Sequence, residues 1–127
     1  MRGGLKSPVL IVDDYVTMAE VVRNLLVHMG FEVVDLAADG TQAYAMAISG
    51  RYGLVISDWD MHPMTGLELL QRMRENPVLT TTPVIIVSAD ATPERAAAAD
   101  EAGAAAFLSK PFTADHLRSA VEIALAR

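Results

Sequence analysis

Short apolar runs that end in polar residues alternate with helical segments along the chain, and this alternation restricts the possible folds most. The runs begin at Val9, Val33, Leu54, Val84 and Ala105. A short apolar run bounded by turn residues is typical of a strand buried in a parallel sheet. Five such strands, each followed by a helix, predict an α/β fold with a doubly wound parallel sheet. The second run is the most polar, which favours an edge position.

The predicted helices have apolar faces at helical spacing, and capping residues indicate where most of them begin. The first has apolar residues at helical spacing that end before a glycine at position 30: Met18, Val21, Val22, Leu25, Leu26 and Met29. Inner faces are also predicted for the third and fifth helices: Leu67, Leu70, Met73, Leu117, Ala120, Val121, Ala124 and Leu125. Capping residues predict where four helices begin: Asp39, Thr65, Thr92 and Thr113. The fourth helix is mostly alanine, so we expect it to be the most weakly anchored.

Length and composition predict one domain and exclude several classes of protein. The 127 residues, 52% of them hydrophobic, predict a single domain over residues 1–127, with its core at about 7–126 and no output domain. The net charge of −6 argues against direct binding of nucleic acid. There is no cysteine, no signal sequence after Met1–Gly4 and no apolar stretch of ~18 residues. We therefore expect a cytoplasmic protein without a membrane segment.

Polar side chains follow four of the predicted strands. Asp13 and Asp14 follow the first strand, Asp58 ends the third, Ser88 ends the fourth and Lys110 follows the fifth. The carboxyl ends of parallel strands share one edge of the sheet, so these residues are expected to converge there. Three carboxylates at one place would repel one another, and a hard divalent cation would remove that conflict. The pattern predicts a Mg²⁺ site in which the lysine balances the remaining negative charge.

Each of these residues also has an ordinary structural interpretation. Asp13 and Asp14 could cap the first helix, Ser88 could be a turn residue, and Lys110 could be a solvated surface lysine. Asp58 is harder to explain in this way, because a carboxylate at the end of a buried strand is costly without a partner. The coincidence at four strand ends carries the prediction of a site.

Taken together, these residues resemble the receiver domain of two-component response regulators, over essentially the whole chain. The resemblance rests on an ordered set of motifs after strands one, three, four and five: Asp13-Asp14, Asp58, Ser88-Ala89 and Lys110-Pro111-Phe112. Within that family, the sequence is similar to the stand-alone, chemotaxis-type regulators. The resemblance implies a flavodoxin-like sheet with strand order 2-1-3-4-5 and five helices.

The resemblance implies a role for each acidic residue. Asp58 would accept a phosphoryl group from a phosphohistidine on a sensor histidine kinase or a histidine phosphotransfer protein. Asp14 and Asp58 would bind Mg²⁺ directly, and Asp13 would bind it through water. The backbone carbonyl of Asp60 would complete the protein ligands. The chain would act as a signalling phosphoacceptor with slow self-dephosphorylation, not as an enzyme.

The resemblance also implies how the signal is passed on. Ser88 and Lys110 would each bind a phosphoryl oxygen, and Phe107 would be the aromatic residue that turns inward when the serine moves. The surface of helix four, strand five and helix five would then contact a downstream protein. DNA-binding relatives often dimerise there through charged residues around strand five. Residues Ala104–Leu108 lack those charges, so we expect a monomer.

Three departures from the family pattern stand out. The family usually has proline four residues after the phosphoacceptor, whereas this chain has His62 there and Pro63 next. His62 is expected to be an exposed loop residue, and not a metal ligand or a proton shuttle. Phe107 often appears as tyrosine, so a two-position switch would depend on packing alone. The additional carboxylates of Asp60 and Asp90 are predicted to alter the lifetime of the aspartyl phosphate by steering water.

Two other functions compete with the leading one. Asp58-Trp59-Asp60 resembles the nucleophile and acid–base pair of haloacid-dehalogenase-type phosphatases. That family carries its motif on the first strand and its acidic pair later in the chain, the reverse of the order found in this sequence. The second alternative is a receiver that binds partners without ever being phosphorylated.

Overall fold

One parallel sheet contains all the strands found in residues 6–126, the part of the chain that the computed structural model describes. The strands are β1 (Val9–Val12), β2 (Val34–Ala37), β3 (Leu54–Asp58), β4 (Val84–Ser88) and β5 (Ala106–Ser109). Their order is β2-β1-β3-β4-β5, which confirms the predicted flavodoxin-like sheet. Residues 1–5 and 127 lie outside the described part of the chain. The two ends of the predicted domain and the start of the chain, where a signal sequence was sought, fall among them.

A helix follows each strand, as the alternation predicted. The helices are α1 (Val16–His28), α2 (Gly40–Gly50), α3 (Gly66–Glu75), α4 (Pro93–Glu101) and α5 (Ala114–Leu125). All strand pairs are parallel, so the chain must cross from one end of the sheet to the other between strands, and the helices make those crossings. No helix in residues 6–126 has the length and apolar character needed to span a bilayer.

Two apolar cores lie on opposite faces of the sheet, because successive strand side chains point in opposite directions. One core joins strand residues such as Ile11 and Ile56 to α1 and α5, through Leu26 and Leu117. The other joins the alternate strand residues to α2, α3 and α4. Both faces of the three central strands are therefore covered, and β1, β3 and β4 are buried throughout.

The predicted helix starts are confirmed at all four capping residues. Asp39, Thr65, Thr92 and Thr113 each accept a hydrogen bond from the backbone N–H three residues later. Thr65 also forms a reciprocal capping box, in which the side chain of Glu68 accepts the N–H of Thr65 at 2.9 Å. These local contacts fix where α2, α3, α4 and α5 leave the edge of the sheet.

The prediction that Val21 and Leu67 lie on the inner faces of their helices was wrong. Val21 is 48% exposed, and the buried residues of α1 are Ala19, Val22 and Leu26. Leu67 is only half-buried, whereas Leu69 is buried in α3. In both helices the error has one cause: each residue turns the helix by about 100°, so a residue at the margin of the apolar stripe faces away from the sheet.

Candidate functional site

Three carboxylates meet at the carboxyl edge of the sheet. The register of β1 on β3 pairs Val12 with Ser57, which sets the residues that follow them, Asp13 and Asp58, side by side. One carboxylate oxygen from each of Asp13, Asp14 and Asp58 lies within 4.8 Å of the others. Asp13 and Asp58 are buried and Asp14 is exposed, so the cluster is open on one side.

The capping interpretation of the first two aspartates is not what the structure shows. The N-cap residue of α1 is Tyr15, and its side chain makes no capping hydrogen bond. The carboxylate of Asp13 accepts the backbone N–H of Tyr15 at 2.9 Å, which shapes the turn before the helix but leaves its second oxygen available. Asp13 therefore both supports the turn and faces the acidic cluster.

Lys110 reaches the same cluster from the end of β5. Its Nζ lies 3.0 Å from Oδ1 of Asp58 and 3.7 Å from Oδ2 of Asp13. The backbone N–H of Lys110 donates to the carbonyl of Ser88 at 2.9 Å, so the sheet pairing extends past the strand end and holds the lysine in place. The Lys110–Pro111 peptide bond is cis. Lys110 is therefore a partner of buried carboxylates and not a solvated surface residue.

The electrostatics of the cluster favour an additional cation. Burial raises the pKa of Asp58 above its ordinary value, and the nearby carboxylates of Asp13 and Asp60 raise it further. Lys110 acts in the opposite direction, through its hydrogen bond and its charge, but does not cancel the effect of burial on that pKa. Three carboxylates, two of which pair with one ammonium group, form a set of hard oxygen donors suited to a divalent ion such as Mg²⁺.

The loop after Asp58 is held by backbone contacts that the sequence did not reveal. Ser57 Oγ donates to the carbonyl of Asp58 at 3.0 Å, and the N–H of Gly66 donates to the carbonyl of Trp59 at 2.9 Å. A Cβ atom on Gly66 would collide with the Asp58 carbonyl, so only glycine permits this approach. Within residues 6–126, no hydrogen-bond donor contacts the carbonyl of Asp60, which leaves that oxygen available to an ion.

Arg95 is the main site residue that the sequence analysis missed. It lies in the first turn of α4, and its guanidinium forms a bidentate pair with the carboxylate of Asp60, both contacts at 3.1 Å. The same group donates to Ser88 Oγ at 3.0 Å and lies 4.6 Å from the centre of the Trp59 ring. No local signal links Arg95 to these partners, because they belong to other elements of the fold.

The predicted aromatic residue lies beside this group. The ring of Phe107 is half-buried on β5 and meets the Trp59 ring edge-on, with 6.4 Å between ring centres. Ser88 is fully buried and lies one residue past Val87, which is paired with Asp58 across β3 and β4. The structure therefore brings Ser88 and Phe107 to the same side of the acidic cluster.

The shifted proline lies in the β3–α3 loop, and the histidine before it adds no ligand to the acidic cluster. The His62–Pro63 peptide bond is cis, and the side chain of His62 is exposed, as predicted. Met61 and Met64 point inward and pack in the core shared with α2 and α3. The loop is thus anchored by its two methionines on either side of the exposed histidine and proline.

Comparison with known proteins identifies the family. The family model described as the response regulator receiver domain matches residues 9–122. The chain belongs to this family. The receiver domain is 40% identical over 114 residues to the chemotaxis protein CheY of Pseudomonas aeruginosa, covering 90% of this chain and 92% of that protein. It is 38% identical over 114 residues to CheY-3 of Vibrio cholerae, covering 90% of this chain and 88% of that protein.

A solved structure supports the same conclusion. The receiver domain superposes on the chemotaxis protein CheY4 of Vibrio cholerae with a TM-score of 0.87 and 32% sequence identity, covering 94% of this chain and 99% of that chain. Acceptance of a phosphoryl group in two-component signalling is the general role of this family. Family membership therefore favours signalling over the phosphatase alternative, whose motif would lie on the first strand and not on β3.

Proposed function

We propose that this receiver domain accepts a phosphoryl group on Asp58 and passes the signal on by protein–protein contact. The position of the Asp58 carboxylate carries the proposal. It lies at the carboxyl end of the central strand β3, inside an acidic cluster and 3.0 Å from the Nζ of Lys110. A buried carboxylate with these neighbours has both a nucleophilic oxygen and a positive charge beside it.

The transfer needs little beyond positioning and neutralisation of charge. An oxygen of Asp58 attacks the phosphorus atom of a phosphohistidine, forming the aspartyl phosphate. The bond from phosphorus to the imidazole nitrogen breaks, and its electron pair leaves with the imidazole, which takes up a proton. Lys110 stays beside the acceptor and balances the charge of the phosphoryl oxygens, and Ser88 donates its hydroxyl proton to another oxygen.

The proposed metal site uses the donors gathered at the edge of the sheet. Asp14 and Asp58 would bind Mg²⁺ directly, Asp13 would bind it through water, and the Asp60 carbonyl would complete the set. The fit rests on three carboxylates within 4.8 Å and on the raised pKa of Asp58. When bound, Mg²⁺ supplies charge neutralisation for the phosphoryl group during transfer.

The proposed output surface is formed by α4, β5 and α5. This surface adjoins the site through Ser88 and Phe107. Its most weakly anchored element is α4, in which Ala99 is the only buried residue. Movement of Ser88 toward the phosphoryl group would let Phe107 turn inward and change this surface. The unphosphorylated protein is proposed to be a monomer, because Ala104–Leu108 lacks the charges that pair in dimeric relatives.

The proposed partners follow from the same chemistry. The donor is a sensor histidine kinase or a histidine phosphotransfer protein, and the receiver of the signal is a downstream protein, not nucleic acid or a membrane. We propose a single cytoplasmic domain over residues 1–127 that has no substrate to turn over. It loses its own phosphoryl group slowly, by hydrolysis.

The fluorescence of Trp59, the only tryptophan, tests this proposal. Mg²⁺ is added first and acetyl phosphate second, with Asp58→Asn as the matched variant. We expect a saturable response to Mg²⁺, and a further response to the donor that is absent from Asp58→Asn. A metal response with no donor effect would favour a receiver that only binds partners. No response to either addition would reject both the metal site and the phosphoacceptor.

A further inference from the structure

The guanidinium of Arg95 contacts three residues of the site, and none of these contacts is needed for the transfer step. Its guanidinium donates to both carboxylate oxygens of Asp60 and to Ser88 Oγ, and it lies against Trp59. Its backbone N–H donates to Thr92 Oγ1 at 3.1 Å, which fixes it within the first turn of α4. The side chain is 24% exposed, so Arg95 is only partly shielded from water.

These contacts hold the Ser88 hydroxyl on the α4 side of the site. Ser88 Oγ accepts two hydrogen bonds, from Arg95 Nη1 at 3.0 Å and from the backbone N–H of Asp90 at 3.1 Å. A hydroxyl has two lone pairs, so both are in use. Among the described residues, no hydrogen bond joins Ser88 to Asp58. The hydroxyl proton is free to be donated to a phosphoryl oxygen, but the two donors hold Ser88 Oγ on the α4 side, so a shift of Ser88 toward Asp58 would stretch the contact with Arg95.

From this geometry we infer that Arg95 is a positioning residue that holds Ser88 in the resting arrangement and opposes phosphorylation of Asp58. The inference rests on the proposed function. Arg95 ties α4 to the loop after β3, and release of Ser88 removes one of the contacts that hold the first turn of α4. Arg95 binds a lone pair of the hydroxyl and the phosphoryl group would accept its proton, so the two compete for the position of Ser88, which couples the chemistry at Asp58 to the attachment of α4.

The contacts of Arg95 with Asp60, Trp59 and Ser88, which we call the Arg95 clamp, are weak enough to break and re-form. A bidentate ion pair with an exposed carboxylate such as Asp60 is weak in water, and the contact with Trp59 adds a modest attraction. The hydrogen bond from the guanidinium to the buried Ser88 hydroxyl is charge-assisted and adds to both contacts. Because Arg95 contacts Ser88 only in the resting arrangement, its removal should raise the population that can accept the phosphoryl group.

The rate of phosphorylation by acetyl phosphate in saturating Mg²⁺ tests the inference. Phosphorylated protein is quantified by intact mass, since substitution of Arg95 would itself alter Trp59 fluorescence. Arg95→Met keeps an apolar side chain against Trp59 but removes every side-chain donor. We expect its second-order rate constant to rise about five-fold, the change that corresponds to one hydrogen bond of about 1 kcal/mol. The matched variant Arg72→Met, on the exposed side of α3, should leave the rate unchanged.

A second comparison separates positioning from a general structural effect. In a Ser88→Ala background, Arg95→Met should change the rate constant by less than about two-fold, because the hydroxyl that it holds is absent. An unchanged rate for Arg95→Met in the parent background would overturn the inference. A decreased rate would also overturn it, since it would make Arg95 a ligand of the phosphoryl group.

The clamp can also be tested without phosphorylation. If the parent protein gains no phosphoryl group that depends on Asp58, the proposed function has failed, and the contact is tested by denaturation alone. The midpoint shifts of Arg95→Met and Ser88→Ala should then sum to more than the shift of the double variant. Additive shifts would show that Arg95 does not hold Ser88, and would overturn the inference independently.

Discussion

At the scale of single residues, Tyr52 shows how a hydrogen-bond partner on another element changes the pKa of a side chain. Its hydroxyl donates to Asp35 Oδ2 at 2.6 Å, and burial together with this carboxylate raises the pKa of Tyr52 from 10.0 to about 12. The neutral hydroxyl is favoured in the folded protein. Its contribution to stability is therefore complete below pH 10, and it is lost as the pH rises through about 12.

We predict that Tyr52→Phe removes the tyrosine ionisation near pH 12. Difference absorbance of tyrosinate, measured against pH, should show the step near pH 12 in the parent and not in the variant. At neutral pH the same variant should lose about 1 kcal/mol of unfolding free energy, because a charge-assisted hydrogen bond is gone. Tyr15→Phe is the control, since Tyr15 is 66% exposed, and it should be neutral. Persistence of the step near pH 12 in Tyr52→Phe would contradict the prediction.

Asp60 and Asp90 give a second prediction at this scale. The carboxylate of Asp60 is held by Arg95, and the side chain of Asp90 is exposed near the mouth of the site. If these carboxylates orient water, Asp60→Asn and Asp90→Ala should slow hydrolysis of the aspartyl phosphate by about two-fold or more. The decay of phosphorylated protein after removal of acetyl phosphate measures this rate. Decay as fast as in the parent would reject the prediction for that residue.

At the scale of elements, the start of α3 is constrained by a backbone contact and the start of α2 by a side-chain contact. Gly66 and Gly40 are the first residues of their helices, each after a capping residue. A Cβ atom on Gly66 would collide with the Asp58 carbonyl, which cannot move without displacing β3. A Cβ atom on Gly40 would meet the side chain of Met64, at 2.9 Å from its sulfur, and that flexible chain can shift.

We predict that Gly66→Ala destabilises the protein and disturbs the site, whereas Gly40→Ala does not disturb it. Gly66→Ala should lower the unfolding free energy by about 1–3 kcal/mol, the usual cost of overpacking, and should weaken Mg²⁺ binding. Gly40→Ala should cost less than about 1 kcal/mol and leave the affinity for Mg²⁺ unchanged. Chemical denaturation and a Mg²⁺ titration of Trp59 fluorescence test both variants. Equal effects of the two substitutions on Mg²⁺ affinity would refute the argument.

At the scale of the whole molecule, occupation of the acidic cluster should stabilise the fold. An ion that binds only the folded protein adds about 2.7 kcal/mol at a concentration of 100 Kd, which corresponds to several degrees in Tm. We therefore expect Mg²⁺ to raise the Tm of the parent protein, and EDTA to reverse the change. Asp14→Asn should abolish most of this response, and Asp115→Asn, an exposed residue in the first turn of α5, should keep it. Equal Mg²⁺ responses in both variants would argue against binding at the cluster.

Local sequence determined the elements and the convergence of the acidic residues. Apolar runs defined the strands to within one residue, and the capping residues defined the starts of α2, α3, α4 and α5. Because the helices carry the chain back across the sheet, every strand points the same way, and polar residues at strand ends must share one edge. This reasoning was sufficient to bring together Asp13, Asp14, Asp58, Ser88 and Lys110.

The tertiary structure alone decided which side chains meet across elements. Arg95 reaches Asp60 and Ser88 because the first turn of α4 lies against the loop after β3, a placement that no local pattern encodes. The Gly66 contact with Asp58 likewise depends on the path of that loop. Periodicity and capping follow from interactions between residues a few positions apart, so the sequence determined them. Contacts between elements depend on how the helices pack on the sheet, so only the folded chain could show them.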